Sequence, residues 1–294
     1  MISGESLYSI TIIIPTFNPD SGFVRLLDGL KNQTVQPNEI IIIDSESDNH
    51  VLDDIDLSGV SFEIVGRKNF DHGRTRDYCL RKSNGNIVVF MTQDAIPYDE
   101  HMLENLVEPF SNESIAAVMA RQIAYPSASR QERYVREFSY PDVSRLTTPE
   151  NMTTYGVDAY KLSDVCAAYR KSAYLDVGGF DYPILTNEDM LMAQKLLNSG
   201  YSIYYSADAK VFHSHDLSFR QQFARNHKIG FTLEAFSERF CNVEETGRGA
   251  NLAFSVGFRL LKGFHIIAFF RFFVDCVARF AGNRKGHIDC RKHD

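Results

Sequence analysis

Several familiar signatures are missing from this sequence of 294 residues, and each absence excludes a class of protein. No GxGxxG follows the first predicted strand and no GxxxxGKS or GxxxxGKT occurs anywhere, so the chain lacks the phosphate-binding loops of dinucleotide dehydrogenases and P-loop NTPases. Its cysteines are odd in number, scattered and never spaced as CxxC (Cys79, Cys166, Cys241, Cys276 and Cys290). This pattern favours free thiols in a reducing compartment over a disulfide framework.

Two further absences concern membranes. Residues 1–8 are polar and lead straight into a strand, without the basic and apolar regions of a signal peptide. The longest uncharged stretch of the C-terminal apolar region, residues 263–270, is too short to span a bilayer. The sequence therefore predicts a cytoplasmic protein that can reach a membrane only from its surface.

The distribution of charge divides the chain into two predicted parts. Residues 246–294 hold nine Lys or Arg and three Asp, a net charge of +6, so residues 1–245 carry −13 and the whole chain −7. The tail is rich in phenylalanine, and its cations are spread through an apolar stretch, which argues against a nucleic-acid partner. We expect a catalytic domain over 1–245, and over 246–294 an interfacial amphipathic helix, or a pair of helices broken near Gly263. Packing of the tail on the catalytic domain, or a homodimer interface, is the alternative.

Apolar, β-branched runs alternate with helical spacing in the first part of the chain. The predicted strands there are 9–15, 39–44, 62–65 and 86–91, and the predicted helices are 22–33 and 75–83. Less regular signals place strands at 118–123, 164–169, 203–205 and 210–212, a helix within 126–138 and another over 187–199. The alternation predicts βαβ units and an α/β fold, whose ligands bind beyond the carboxyl ends of the strands.

Asp94 follows one of these strands directly. A divalent cation held by one or two carboxylates is the usual way in which proteins bind a nucleotide diphosphate, and Asp94 is placed for that role. The alternative is that Asp94 caps a helix that begins near Asp99, or closes a turn.

Acids and histidines in the second half supply further candidates. Glu188 and Asp189 begin a helix with Asn187 as its predicted cap, where acids either complement the helix dipole or serve as a general base toward a hydroxyl group. His213 and His215 alternate on an extended segment, so we expect their side chains to point to opposite sides and only one to reach a metal ion.

Taken in order, the segments PTFN, DSES, FDHGRTRD, VVFMTQDA, CAAYR, GGFD, NEDM and VFHSHD resemble family 2 glycosyltransferases of the GT-A fold. More narrowly, FDHGRTRD at 70–77, MTQDAIP at 91–97 and VFHSHDLS at 211–218 are similar to bacterial rhamnosyltransferases that build O-antigen. The resemblance covers about residues 9–230. It implies a Rossmann-like nucleotide-binding half with a mixed, mainly parallel sheet, followed by the amphipathic tail.

The resemblance assigns roles to individual residues. Asp189 corresponds to the catalytic base with Glu188 beside it, and Asp94 with His213 or His215 corresponds to the metal site, although Thr92 replaces the first acid of the family's DxD. The positions that the resemblance implies for donor binding are Pro15, Thr16, Asn18, Asp44, Ser45, His72, Gly73, Arg76, Gln93 and Arg225. Arg76 is expected to contact the diphosphate. Residues 222–226, QFARN, lack the Trp of the QxxRW motif of processive relatives, which indicates transfer of a single sugar.

The implied reaction is the inverting transfer of one sugar, L-rhamnose from dTDP-rhamnose, to a polyprenyl-diphosphate-linked saccharide at the cytoplasmic face of the inner membrane, assisted by Mg²⁺ or Mn²⁺. A UDP- or GDP-sugar donor is an alternative, as is a carbohydrate-binding relative with weakened catalysis. A sugar nucleotidyltransferase would need a basic, glycine-rich loop after the first strand, and PTFNPDSG contains no Lys or Arg.

Overall fold

A computed structural model describes residues 8–49, 51–52, 55, 57–240 and 247–292. Within these residues the strands are β1 (Ile10–Thr16), β2 (Glu39–Asp44), β3 (Ser61–Ile64), β4 (Ile87–Met91), β5 (Ile96–Pro97), β6 (Ile115–Ile123), β7 (Arg145–Thr147), β8 (Cys166–Arg170) and β9 (Ser202–Phe212). The helices are α1 (Gly22–Lys31), α2 (His72–Lys82), α3 (Met102–Val107), α4 (Arg130–Ser139), α5 (Met152–Tyr155), α6 (Lys171–Asp176), α7 (Glu188–Asn198), α8 (Phe219–Ala235), α9 (Arg248–Lys262) and α10 (Ile266–Cys290).

The strands form one mixed sheet in the order β3-β2-β1-β4-β8-β6-β9-β5, with β7 paired to β9. The half formed by β3, β2, β1 and β4 is entirely parallel, as the βαβ pattern predicts. β8 runs antiparallel to both β4 and β6, whereas β6 and β9 are parallel. The carboxyl ends of β1, β2 and β4 therefore meet at one edge of the sheet, and they carry the polar residues singled out above.

Burial on both faces explains why these strands are continuous apolar runs. Every residue of β4 is buried, and all of β1 except Pro15. One face packs against the apolar stripe of α1, where Phe23, Leu26, Leu27 and Leu30 are buried together as the helical spacing predicts. The α/β architecture thus follows directly from the pattern of hydrophobic residues.

Three elements differ from the sequence prediction. β9 is one strand rather than two, because a bulge between the Ala120–Ser206 and Arg121–Lys210 pairs accommodates the extra residues without ending the strand. α2 begins at His72, where Asp71 caps it by accepting a hydrogen bond from the amide of Arg74 (2.8 Å). Asn187 does not cap α7 through its side chain. It adopts a left-handed conformation (φ 64°) instead.

The C-terminal helices pack on the preceding domain with one face. Val256 and Leu260 of α9 and Phe272 of α10 form a small core with Val135 of α4. α10 lies directly on α8. At Gly286 an added Cβ atom would approach the carbonyl oxygen of His227 to 2.1 Å. The packing alternative is therefore correct for this face, and the break between α9 and α10 falls at Gly263 as predicted.

The opposite face of these two helices is exposed and apolar. We call it the phenylalanine face, and its aromatic members with their exposed fractions are Phe254 (76%), Phe258 (60%), Phe264 (88%), Phe270 (61%), Phe273 (58%) and Phe280 (70%). A search of the described helices for one long and apolar enough to cross a bilayer finds none. Cys79, Cys166 and Cys276 are free thiols. Cys241 and the predicted boundary at 245/246 lie outside the described residues.

Candidate active site

Asp94, His213 and His215 converge beyond the ends of β4 and β9. The Asp94 Oδ2 atom lies 3.5 Å from Nε2 of His213 and 3.3 Å from Nε2 of His215, and one potential ligand atom from each residue lies within 4.8 Å of the others. The prediction that only one histidine faces this side is wrong. Strict alternation holds only in a strand, and the chain leaves the sheet after Phe212. The capping alternative for Asp94 is also excluded, because α3 begins only at Met102 and its N-terminal flanking residue is His101.

Hydrogen bonds fix the orientation of the buried His213. Its Nδ1 lies 2.9 Å from Oε1 of Gln122, and the guanidinium of Arg136 donates to the same oxygen. Because this oxygen can only accept, its contact favours the tautomer of His213 with the proton on Nδ1 and a lone pair at Nε2 toward Asp94, while Nη1 of Arg136 lies 3.3 Å from the same Nδ1. Burial, reinforced by the charge of Arg136, holds the pKa of His213 well below its ordinary value. Burial also lowers the pKa of His215, although Asp94 opposes the effect. Both imidazoles are thus neutral at pH 7, the form that binds a metal ion.

A second group of polar residues joins the ends of β1 and β2. The buried carboxylate of Asp44 accepts hydrogen bonds from the hydroxyls of Thr16 (2.8 Å) and Ser47 (2.6 Å) and from the amide of Ser47 (2.8 Å). Ser47 in turn accepts a hydrogen bond from the amide of Asn18 (2.7 Å), which has a positive φ of 46°. Ser45 is buried next to Asp44, and its amide bonds to Thr16. The predicted nucleoside residues therefore form one cradle.

Gln93 links this cradle to Asp94, His213 and His215, which we call the metal-ligand cluster. Its side-chain amide makes a pair of hydrogen bonds with the backbone of Phe17, at 2.7 Å to the nitrogen and 3.0 Å to the oxygen. The loop that follows Pro15 is consequently clamped to the residue that precedes Asp94. Arg67 lies over the Phe17 ring at 4.9 Å and forms an ion pair with Asp48. Sequence reasoning missed Arg67, whose signal is only a pair of cations, Arg67 and Lys68, after a strand.

The acids at the start of α7 belong to a buried cluster around Arg76. Nη1 of Arg76 lies 2.8 Å from Oε1 of Glu188, and its Nε lies 3.7 Å from Oδ2 of Asp164. Asp189 is half-buried beside them, and its Oδ2 accepts a hydrogen bond from the amide of Asp164 (3.2 Å). The structure thus places Arg76 with the acids, where its guanidinium neutralises Glu188 and Asp164 inside the protein.

Three carboxyl groups around one guanidinium cannot all ionise at their ordinary pKa. Burial raises the pKa of Asp189 well above its usual range, and the charges of Glu188 and Asp164 raise it further. Burial also raises the pKa of Asp164 to about 7, although Arg76 opposes the shift. A carboxylate that holds a proton more tightly than usual is a stronger base when ionised, which suits Asp189 for accepting a proton from a hydroxyl group.

Residues 163–165, which we call the connecting segment, join the acids to the metal-ligand cluster. Ser163 accepts a hydrogen bond from Gln122, the partner of His213. The amide of Asp164 donates to Asp189, and the carbonyl of Val165 accepts from Thr92 (3.0 Å). Three consecutive residues thus link the predicted base by hydrogen bonds to the elements that carry the predicted metal ligands. Asp164 and Gln122 were not identified from the sequence, because their contacts lie 25 and 91 residues away along the chain.

The remaining predicted residues lie around these clusters. His72 is near Arg76, with 3.3 Å between its Nδ1 and Nη1 of the guanidinium. At Gly73 an added Cβ atom would come within 2.5 Å of the Asp181 carbonyl, so this glycine allows α2 to approach the 180–184 segment. Arg225 lies on α8, near the two histidines. Burial is the largest cause of the lowered pKa values of His213 and His215, and the charge of Arg225 makes a smaller contribution in the same direction.

A cavity of about 540 Å³ opens beside the metal-ligand cluster. His215 lines it at the catalytic end, and Phe270 and Val274 of α10 line it on the side of the tail. Its charged residues are Glu132, Asp216, Asp275, Arg271 and Arg279, so neither sign dominates. A neutral, hydroxyl-rich group is a better match for this cavity than an anion.

The parallel half-sheet, the cradle at its edge and the carboxylate–histidine cluster together define a nucleotide-sugar transferase of the GT-A type. Solved structures of this class are similar over nearly the whole chain. A mannosyltransferase from Pyrobaculum calidifontis, PcManGT, solved with GDP-Man and Mn²⁺, has a TM-score of 0.66 at 16% identity and is matched over 97% of this chain and 88% of its own. TarS of S. aureus, residues 1–349 with UDP-GlcNAc, has a TM-score of 0.57 at 15% identity and is matched over 97% and 92%.

Sequence comparison is more specific. Residues 11–178 match the family model described as glycosyl transferase family 2. The chain is 37% identical over 223 residues to the O-antigen chain rhamnosyltransferase RfbN of Salmonella typhimurium, covering 75% of this chain and 71% of that protein. It is 32% identical over 224 residues to the O-antigen chain rhamnosyltransferase WbaN of Salmonella anatum, with 76% and 71% covered. This chain is a glycosyltransferase that belongs to family 2, and the resemblance to O-antigen rhamnosyltransferases is confirmed.

Proposed function

We propose that the protein transfers a single L-rhamnose residue, with inversion, from dTDP-rhamnose to a lipid-linked saccharide of a surface polysaccharide. The observation that carries the proposal is the connecting segment, whose hydrogen bonds link Asp189 to Thr92, two residues before Asp94, and through Gln122 to His213. A base for the acceptor and a cation site for the leaving diphosphate are the two elements that a single displacement needs. The names of RfbN and WbaN support rhamnose as the transferred sugar.

Individual residues of this chain would have the following roles in the transfer reaction. Asp189 accepts the proton of the acceptor hydroxyl, and Asp164 and Glu188 keep its basicity high. Glu188 stays bound to Arg76 and positions the start of α7. The cradle of Thr16, Asn18 and Asp44 surrounds the nucleoside. Arg225, beside the two histidines, faces the departing diphosphate.

The Asp94 cluster fits a divalent cation. Its donor set is one carboxylate and two neutral imidazoles, and the buried hydroxyl of Thr92, two residues before Asp94, has no hydrogen-bond partner among the described residues. Mg²⁺ prefers oxygen ligands, whereas Mn²⁺ also accepts imidazole, so this set favours Mn²⁺ over Mg²⁺. When bound, the cation would neutralise the charge that develops on the leaving diphosphate.

We further propose that the phenylalanine face rests on the cytoplasmic surface of the inner membrane, where a polyprenyl-diphosphate-linked acceptor resides. The exposed cations Lys262 and Arg271 accompany this face, as expected of a helix pair among anionic headgroups. Burial of each exposed phenylalanine in lipid contributes about 1.5–3 kcal/mol, so several suffice for reversible attachment.

A donor screen tests the proposed reaction. With Mn²⁺ and a bacterial lipid-linked saccharide extract, we expect turnover of dTDP-rhamnose and at most about one hundredth of that rate with UDP- or GDP-sugars, since discrimination by polar contacts reaches this size. NMR of the product is expected to show the anomeric configuration opposite to that of the donor. Preferred turnover of a UDP- or GDP-sugar, or retention of configuration, would contradict the proposal.

Charged substitutions on the phenylalanine face test membrane attachment. We expect Phe264→Glu combined with Phe270→Glu to reduce co-sedimentation with phosphatidylglycerol-containing vesicles by about tenfold or more, because two buried aromatic side chains are lost. Phe62→Glu is the matched control, since Phe62 is 39% exposed on β3, far from the tail in sequence. If the double variant still binds vesicles but dissociates a dimer in light scattering, the dimer alternative is correct.

A further inference from the structure

A second cavity, of about 460 Å³, carries a strong imbalance of charge. It lies between the end of α4, the chain that leads into β7 and the first turn of α9. Among its described lining residues, Arg145, Lys161 and Arg248 are basic and Asp158 is the one acid. We call it the cationic pocket. The first cavity, in contrast, has three acids and two arginines.

Among the described residues, two of the three cations of the cationic pocket have no acidic partner. Lys161 donates to the Ser139 carbonyl and lies 4.0 Å from the centre of the Tyr140 ring. Arg145 donates to the carbonyl of Asp158 (2.6 Å), and its buried Nε has no hydrogen-bond partner in the part of the chain that the structure describes. The carboxylate of Asp158 is engaged by Arg248. Burial, with the charges of Arg145 and Arg136, lowers the pKa of Lys161 to about 7. An anion in the pocket would satisfy the buried donor of Arg145 and favour the charged form of Lys161.

The start of α9 adds to this preference. Arg248 and Asn251 belong to the first turn of this 15-residue helix and line the pocket, and the preceding Gly247 offers no side-chain cap. The backbone N–H groups of such a turn favour anions, above all phosphate groups. Fixed cations and a helix start thus point into the same space.

The position of the pocket indicates which phosphate it binds. Toward the active site, the ring of Tyr140 covers Lys161. Burial raises the pKa of the Tyr140 hydroxyl, and Ser163 of the connecting segment is among the groups that oppose this shift. Toward the outside, α9 continues into the phenylalanine face, where the rings of Phe254 and Phe258 stack at 6.1 Å. A phosphate group in the pocket would have catalytic residues on one side and an apolar surface on the other.

We infer that the cationic pocket binds the diphosphate that joins sugar to lipid in the acceptor, with the lipid directed along α9. This inference rests on the proposed function. It assigns Arg145 and Lys161 to acceptor binding, a role that neither the sequence motifs nor the donor cradle suggested.

Binding to the full-length protein tests the inference without requiring turnover. With EDTA present to keep cations from bridging the ligand, titration calorimetry is expected to show farnesyl diphosphate binding more tightly than inorganic pyrophosphate. Arg145→Met and Lys161→Met should each reduce the affinity for farnesyl diphosphate and for pyrophosphate by about tenfold or more, the loss expected for a charge-assisted contact. Arg145→Lys, which keeps the charge, should lose less affinity than Arg145→Met. Arg133→Met is the control, since Arg133 lies on the exposed side of α4, and it should bind both ligands as the wild type does.

Each outcome decides between the sources of phosphate. Equal affinity for pyrophosphate and farnesyl diphosphate would indicate a site for free phosphate and overturn the assignment to the acceptor. Unchanged affinity in both Met variants, with melting temperatures like that of Arg133→Met, would exclude the pocket altogether. In turnover assays, Arg145→Met should raise KM for a diphosphate-linked acceptor but not for an alkyl glycoside of the same sugar. If no donor is turned over, the proposed function fails, whereas the binding result still decides the pocket.

Discussion

Replacing Asp189 with Asn is expected to reduce kcat by about 10²–10⁴-fold, the usual contribution of a general base. Asn keeps the shape of the side chain and can accept the hydrogen bond from the Asp164 amide, but its NH₂ group cannot replace Oδ1, which accepts from the Met190 amide (2.8 Å). The nucleoside cradle lies on other elements, at the ends of β1 and β2. We therefore expect unchanged affinity for the nucleotide together with nearly abolished transfer. The measurement is steady-state turnover of dTDP-rhamnose alongside calorimetry with dTDP.

The pH profile separates a base from a merely structural acid. Because the pKa of Asp189 is raised, the active ionised form is lost as the pH falls, at a pH above the usual range of aspartate. Asp164→Asn removes one of the charges that raise it, so the acid limb of the wild-type profile should move to lower pH in this variant. An acid limb at the same pH in this variant as in the wild type would contradict the conclusion that Asp164 raises the pKa of Asp189.

Glu188→Gln should lower the melting temperature, since it weakens a buried pair with Arg76.

Replacing Asp94 with Asn is expected to reduce kcat/KM by about 100-fold or more, because cation assistance is worth several kcal/mol. Asp94 supplies the only carboxylate among the three clustered ligands of the described chain. The affinity for Mn²⁺, followed by electron paramagnetic resonance, should fall together with the rate. EDTA should inactivate the wild type, and Mn²⁺ should restore it better than Mg²⁺.

Glu100→Gln is the matched control for Asp94, since Glu100 is an exposed acid six residues further along. It should bind Mn²⁺ and turn over donor as the wild type does. Full activity of Asp94→Asn in EDTA would show that the reaction proceeds without a cation at this cluster. The two histidines would then serve another purpose.

Local patterns predicted the parallel half of the fold well. The runs that became β1, β2 and β4 are apolar at most of the positions that the sheet buries, the exceptions being Thr11, Thr16 and Asp44, and such runs have few alternatives in a globular chain. The edge of the sheet followed from that assignment, because the carboxyl ends of parallel strands coincide. Asp44 and Asp94 were therefore identifiable in advance as neighbours of a ligand site.

What the sequence could not supply were contacts between distant residues. Arg76 was expected to bind the diphosphate, but it is surrounded by Glu188 and Asp164, 112 and 88 residues away, and the prediction for Arg76 stays untested beside this internal role. The histidines were misjudged for a related reason. The amide of His213 bonds to Ile123 and the hydroxyl of Ser214 bonds to Tyr125, and these contacts turn the chain so that both rings face Asp94.

The position of Phe270 has a consequence for how an acceptor enters. Phe270 lines the cavity beside His215 and also belongs to the phenylalanine face, so the cavity and the exposed apolar surface adjoin on α10. If that surface rests on a bilayer, as proposed, the mouth of the cavity would lie at the level of the lipid headgroups. A saccharide whose growing end is close to its lipid would then reach the cavity without leaving the membrane surface.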